Sequence, residues 1–180
     1  MIRRLNITPF YLLAFFIILL FSVCKETTAQ EVNYKSYSLF VYNFIKYIDW
    51  PDLNPEEDFK IAVIGDSPVL KELQYLSQNK RIRGKRMVVK QYADAESVID
   101  CNLIYICSHK SSSIKILKEK YKNKPVLLIG EREGLAKKGA ALSFVTLEND
   151  ALHFDVNKKV LENHNLKIAN SLLALGSIVN

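Results

Sequence analysis

Between positions 34 and 49 apolar residues recur every three or four places: Tyr37, Phe40, Val41, Phe44, Ile45 and Ile48. That spacing marks one face of an α-helix and predicts a helix over Tyr34 to Asp49. Trp50-Pro51 ends it, because the residue before a proline is pushed out of the α region. A polar loop, Asp52 to Asp58, follows. The pattern then shortens. Phe59 to Ile64, Met87 to Tyr92, Leu103 to Cys107 and Val126 to Ile129 are brief, largely apolar runs near turn-forming residues, as buried strands are. Helical stretches fall between them, over Pro68 to Ser77, Ala95 to Ile99 and Ser111 to Tyr121, with a helical turn near Gly134 to Lys138. Ser67 is placed to cap the first of these, and Pro68 suits its opening turn.

Past position 140 the order changes. Ala141 to Leu147 and Leu152 to Val156 read as an antiparallel hairpin over Glu148-Asn149-Asp150. Helices are predicted over Lys158 to Asn163 and Leu166 to Val179, the latter with an apolar stripe of Ile168, Leu172, Leu175 and Val179. Alternating strands and helices imply an α/β fold, a mostly parallel sheet with helices on both faces. The C-terminal antiparallel hairpin and helix complete it. No internal repeat or linker interrupts the stretch, so residues 31–180 read as a single domain.

The first 29 residues have a different character. Arg3 and Arg4 precede an apolar run from Phe10 to Phe21, and Thr27-Thr28-Ala29 offers small residues for cleavage. That is the order of a secretory signal peptide. The run is shorter than the roughly 20 apolar residues a membrane span needs. An uncleaved N-terminal anchor is one alternative. A lipoprotein attached through Cys24 is another, although Val23 suits a lipobox poorly. Cleavage after Ala29 removes three basic residues and one acidic, and the formal charge falls from +6 to +4. The expected location is periplasmic.

Charge and cysteines narrow the picture further. The densest basic cluster is Lys80, Arg81, Arg83, Lys85, Arg86 and Lys90. In an exported protein this is not a nucleic-acid site. It reads as a solvated turn and an edge strand guarded by charge, with contact to anionic lipid or an acidic partner as the alternative. Cys101 and Cys107 flank a predicted strand whose six steps span about 20 Å. A disulfide needs Cα atoms within about 7 Å, so the two are expected as buried thiols. No histidine pair has metal-ligand spacing, and there is no phosphate-binding loop or dinucleotide fingerprint. Neither metal nor cofactor is expected. Gly130 to Gly134 reads as a charged turn.

Two chemical readings remain. Ile64-Gly65-Asp66-Ser67 resembles the first block of the GDSL, or SGNH, hydrolases, and Asp150-Ala151-Leu152-His153 offers the Asp-x-x-His pair those enzymes use. The resemblance implies Ser67 as nucleophile, His153 as base and Asp150 as its orienter. The family's middle blocks are missing, and Ser67, Asp150 and His153 also fit as a cap, a turn residue and a strand residue. The second reading follows from fold logic. Open parallel sheets bind ligands past the strand C-termini, where the strand order reverses. With an order of 2-1-3-4, that crevice is rimmed by Asp66, Ser67, Ser108, His109 and Lys110. Helix N-termini at Pro68 and near Ser112 would favour a small anion there, and a capped, solvated sheet edge is the alternative.

The chain from position 41 onward resembles the YfiR-like family of small periplasmic proteins. The likeness rests on Val41 to Pro51, Phe59 to Pro68, Gly84 to Val89, Cys101 to Ile106, Pro125 to Ile129, Gly134 to Gly139, Phe154 to Asn157 and Ile168 to Leu175. No single motif decides it; their order and spacing do. The resemblance implies a regulator of a membrane signalling protein, such as a diguanylate cyclase of the cyclic-di-GMP and biofilm pathway. It offers no catalytic residues. It also makes the Gly-Asp-x-Pro turn part of a scaffold, so Ser67 needs no catalytic role. Some members hold internal disulfides, which the Cys101–Cys107 spacing argues against in this chain. The expected partner is therefore the periplasmic part of a membrane sensor or cyclase, and a homodimer is also compatible. Tyr42 and Tyr47 lie off the main stripe of the first helix and are candidate partner anchors, with packing against a neighbouring element as the alternative for each.

Overall fold

All four short apolar runs become strands of one sheet. The computed structural model describes residues 33–51 and 53–180. The leader read over residues 1–29, the anchor and Cys24 alternatives to it, and Asp52 of the first loop lie outside them. The chain runs α1 (Tyr34–Tyr47), β1 (Ile48–Asp49), β2 (Phe59–Ile64), α2 (Val69–Asn79), β3 (Met87–Tyr92) and β4 (Leu103–Ile106). A 3-10 segment, Ser108–Ser113, leads into α3 (Ile114–Lys120) and β5 (Leu127–Gly130). A second 3-10 turn, Ala136–Lys138, precedes β6 (Leu142–Thr146), β7 (Leu152–Val156), α4 (Lys158–Asn163), β8 (Lys167–Ile168), α5 (Asn170–Leu173) and β9 (Ser177–Ile178).

The main sheet has the order β3-β2-β4-β5-β6-β7-β9. Its first five strands are parallel. β7 returns antiparallel to β6, with Phe144 opposite Phe154, and β9 lies parallel to β7. β1 and β8 form a separate antiparallel ribbon in which Ile48 faces Ile168.

The continuous apolar runs conceal a period of two. Along β2, Phe59, Ile61 and Val63 enter one core layer while Ala62 and Ile64 enter the other. β4 divides in the same way, with Leu103 and Tyr105 on one side and Ile104 and Ile106 on the other. A strand covered on both faces must be apolar at every position. The larger layer lies beneath residues of α1, α2, α4 and α5, and the smaller beneath α3. The larger is rich in aromatic rings. Phe44 sits 4.9 Å from Phe154 and Tyr37 4.5 Å from Phe144, centroid to centroid. Such pairs add about 0.5–1.5 kcal/mol each beyond burial alone.

Two predicted helices are not formed. Residues 93–97 are a series of bends, and Val98 and Ile99 have no regular structure. Asp94 accepts from the Ser97 N–H at 2.9 Å and closes a local turn, and Ala95 and Val98 are pinned into the smaller core layer. These local hydrogen bonds compete with a helix that would have only a few residues to propagate. The stretch from Leu166 to Val179 breaks into β8, α5 and β9 because other strands capture its ends. Ile168 pairs with Ile48, and Ser177 and Ile178 pair with Asp155 and Val156. Its expected stripe is accordingly split, with Leu172 buried and Leu175 65% exposed. Ser111 to Tyr121 is helical, but its first part is 3-10 and α3 starts only at Ile114.

Gly130, at the end of β5, admits no side chain. A Cβ there would lie 2.6 Å from Leu135 Cβ, an atom with little freedom to move. Gly130→Ala is expected to cost about 1–3 kcal/mol through overpacking. A urea titration should show a lower midpoint with an unchanged slope.

Candidate functional site

The strand order reverses between β2 and β4, as the 2-1-3-4 order required, so the crevice past their C-termini is where a ligand is expected. The five residues predicted to rim it divide into two groups. Asp66, His109 and Lys110 line an open groove of about 410 Å³ together with Gly65, Gln91, Tyr92 and Ala93. The Asp66 N–H donates to His109 Nε2 at 3.4 Å. Gly65 has φ +98, and a Cβ on it would come within 2.8 Å of His109 Nε2. Glycine is therefore what lets the β2–α2 turn close against the segment after β4.

Ser67 and Ser108 instead meet Glu131, the first residue beyond β5. The Ser67 hydroxyl donates to one carboxylate oxygen at 3.3 Å. The Ser108 N–H donates to the other at 3.1 Å. The Tyr34 phenol at the start of α1 faces the same pair of groups. Burial raises the carboxyl pKa above its ordinary value, opposed by the bonds from Ser108 and Ser67. Among the described residues no ion pair includes Glu131. The chain's own carboxylate thus takes the donors that an anionic ligand would use. Ser67 also receives the Val69 N–H at 3.4 Å, so it serves α2 as the sequence suggested, from one place before the N-cap Pro68. The sequence reading missed Glu131 by treating positions 130–134 as a turn. Its place at the C-terminal end of a core strand was the available signal.

The GDSL-type constellation is not assembled. Ser67 follows β2, whereas His153 lies on β7, with β4, β5 and β6 between them. Four inter-strand steps amount to about 19 Å. His153 Nε2 lies 3.1 Å from Ser177 Oγ, and Asp150 sits in the hairpin turn with φ +62. A serine and histidine so far apart cannot exchange a proton directly. Cys101 and Cys107 are free and buried, in opposite core layers. Burial pushes the Cys101 thiol up to about 11 and the Cys107 thiol up to about 12, away from reactive thiolate. Among the described residues no group of three or more His, Cys, Asp or Glu side chains is placed to hold a metal. No described helix is long and apolar enough to cross a membrane.

The two candidate tyrosine anchors differ in setting. Tyr42 is half-buried against the larger core layer, and its hydroxyl donates to the Arg81 carbonyl at 3.4 Å. Tyr47 is 41% exposed, with Lys46 Nζ 5.4 Å from its ring centre. Part of the basic cluster of residues 80–90 is engaged within the protein. Arg83 pairs with Asp49 and Arg86 with Asp58, and Lys85 is buried with its ammonium on the Asn54 and Glu57 carbonyls.

Comparison with known proteins agrees with this architecture. No curated protein shows significant similarity to the sequence. A solved structure of a conserved domain protein from Vibrio cholerae O1 biovar El Tor superposes with a TM-score of 0.56 at 10% identity. The alignment covers 82% of this chain and 60% of that one, so the match spans about three fifths of that protein's length. The ABC domain from Streptococcus pneumonia, solved in complex with L-Trp, aligns at a TM-score of 0.48 and 9% identity, covering 67% of this chain and 55% of that one. At such identities the first likeness establishes a shared fold. The YfiR/HmsC-like family model matches residues 34–177, from the first turn of α1 to the start of β9, and the chain belongs to that family.

Proposed function

We propose that this protein is a non-catalytic periplasmic regulator, exported by a leader over residues 1–29, that binds and restrains a membrane signalling protein. A diguanylate cyclase is the first candidate for that partner. Family membership supports regulation over catalysis. The observation that carries the reading is the occupied crevice. Where an α/β enzyme of this topology would keep donors free for substrate, Glu131 engages the Ser67 hydroxyl and the Ser108 N–H. With Ser67 also far from His153 in the strand order, the serine–histidine pair of the GDSL-type reading is not formed at that end of the sheet. What remains for function is the surface, and Tyr47 on α1 is an exposed aromatic of the type that anchors interfaces.

In-cell crosslinking of the tagged protein, followed by mass spectrometry of the membrane fraction, tests this. Recovery of one membrane sensor with a periplasmic domain is the expected result. Well-folded, exported protein that captures no such sensor would count against it. Tyr47→Ala is expected to weaken that complex roughly 30-fold, the loss of a hot spot of about 2 kcal/mol, with stability changed by less than about 0.5 kcal/mol. Tyr42→Ala should also weaken the complex if both rings reach the partner. Unlike Tyr47→Ala, it should lower stability by about 1–2 kcal/mol, since it removes packing and the bond to Arg81.

A second reading draws on the open groove of about 410 Å³ lined by Asp66, His109 and Lys110, which would make the domain a sensor of a small anion. Thermal-shift measurements against a library of small anions separate the two. A rise in melting temperature that Lys110→Ala abolishes would favour the sensor, and a flat response would remove its support.

A further inference from the structure

Charge on this protein is unevenly compensated. The four ion pairs among the described residues are made by Lys60, Arg83 and Arg86, all close to β2 and β3. None involves the region of α3. There Lys115 and Lys118 are exposed on the helix, Lys122 is exposed in the turn that follows, and Lys137 and Lys138 are exposed in the 3-10 turn before β6. Lys115, Lys118 and Lys122 recur at three- and four-residue spacing and share one side. The 3-10 turn lies against that side, since a Cβ on Gly139 would sit 3.2 Å from Lys118 Cδ. Five lysines therefore lie together, with Glu119 among them and Asp155, itself near Glu133, beside Lys137. Lys120 does not join the face; its ammonium is held by the Ala95 and Glu96 carbonyls.

We propose that the α3 face docks on anionic phospholipid headgroups at the membrane surface. Lysines that outnumber the carboxylates around them repel one another, and a negatively charged plane relieves that repulsion. The residue types favour lipid over a folded protein partner. Protein interfaces are depleted in lysine and enriched in arginine and aromatic residues, whereas this face has five lysines and neither of the others. Flexible ammonium stems suit a fluid array of phosphates. The inference goes beyond the regulator reading and shares with it only an exported protein beside a membrane. It orients the domain with α3 towards the bilayer and the α1–α2 layer away from it, since those helices cover the opposite side of the sheet.

Vesicle flotation with the mature, processed protein tests it with no signalling partner present, so failure here leaves the partner reading untouched. Phosphatidylglycerol-containing vesicles should retain the protein, vesicles of phosphatidylcholine alone should not, and raising salt should release it. Lys115→Gln/Lys118→Gln/Lys122→Gln should lower the partition coefficient on the order of a hundredfold with an unchanged melting temperature. Lys71→Gln/Lys158→Gln/Lys159→Gln, which removes the same charge from α2 and α4, should bind like the wild type. Equal loss in both variants would overturn the proposal, because net charge alone would then explain binding. So would salt-insensitive binding, absence of binding to phosphatidylglycerol, or a triple variant that loses an acidic protein partner while keeping its lipid affinity.

Discussion

Phe144→Ala is expected to lower the unfolding free energy by about 3–5 kcal/mol. Phe144 lies on β6, 2% exposed. Its ring stands 4.5 Å from Tyr37, 5.9 Å from Phe44, 6.1 Å from Phe40 and 6.3 Å from Tyr105. It joins the hairpin of β6 and β7 to α1 and to the parallel core. Truncation removes the ring from burial and leaves a space that neighbours held by the sheet cannot fill. A domain of this size has about 5–15 kcal/mol in total, so the variant should be marginal at growth temperature. Its melting temperature should fall by roughly 6–20 °C. A loss below about 1 kcal/mol would mean that the surrounding rings collapse into the space and that the cluster is not a rigid joint.

Glu131→Gln should raise stability at neutral pH and remove one component of its pH dependence. Burial holds the Glu131 carboxyl above the ordinary value of 4.5. As pH rises, the unfolded chain gives up this proton before the folded chain does. In the window between the two values the native state holds more protons, so stability falls as pH rises and stays at the lower level above it. The slope from one such group is at most about 1.4 kcal/mol per pH unit. Asp155, also raised by burial, acts in the same sense. His164 is held below its ordinary 6.5 by burial and acts oppositely, with stability lost as pH falls from 6.5 towards its folded value. The difference between wild type and Glu131→Gln isolates Glu131 from both. It should be small below pH 4.5 and grow above it. The side-chain amide that replaces the carboxylate keeps an oxygen for the Ser108 N–H, and its N–H can donate to the Ser67 hydroxyl oxygen, so both contacts have a counterpart in the variant. A difference that does not change with pH would show that water reaches the carboxylate.

Much of the architecture is legible in the order of residues. The strands at 59–64, 103–106 and 127–130 could be read from short apolar runs, because a strand buried on both faces has few other ways to be written, and the half-exposed edge strand at 87–92 and the hairpin from mixed runs bounded by turn residues. The first helix was plain from its spacing. Alternation of strand and helix implied a mostly parallel sheet, and the 2-1-3-4 order supposed for its first strands is the one formed. Weak local signals fared worse. Residues 95–99 have helical composition but too few positions to propagate a helix against the turn that Asp94 and Ser97 make. The chain after Leu166 carries a helical stripe, yet unpaired strand edges at β1 and β7 capture it.

The candidate site divides along the same line. The sequence by itself determined that Asp66, Ser67, Ser108, His109 and Lys110 would gather at one end of the sheet, since strand order alone brings those loops together. Only the tertiary structure decided which way each side chain turned. It set Glu131, 64 residues after Ser67, into the donors that a ligand would have used. It also left the α3 lysines outside the ion pairs of the described residues while pairing the arginines near β3. The physical reason is range. Periodicity and turn chemistry act over a few residues and are written locally, whereas a carboxylate finding a serine, or an arginine finding an acid, depends on contacts between segments far apart in the chain.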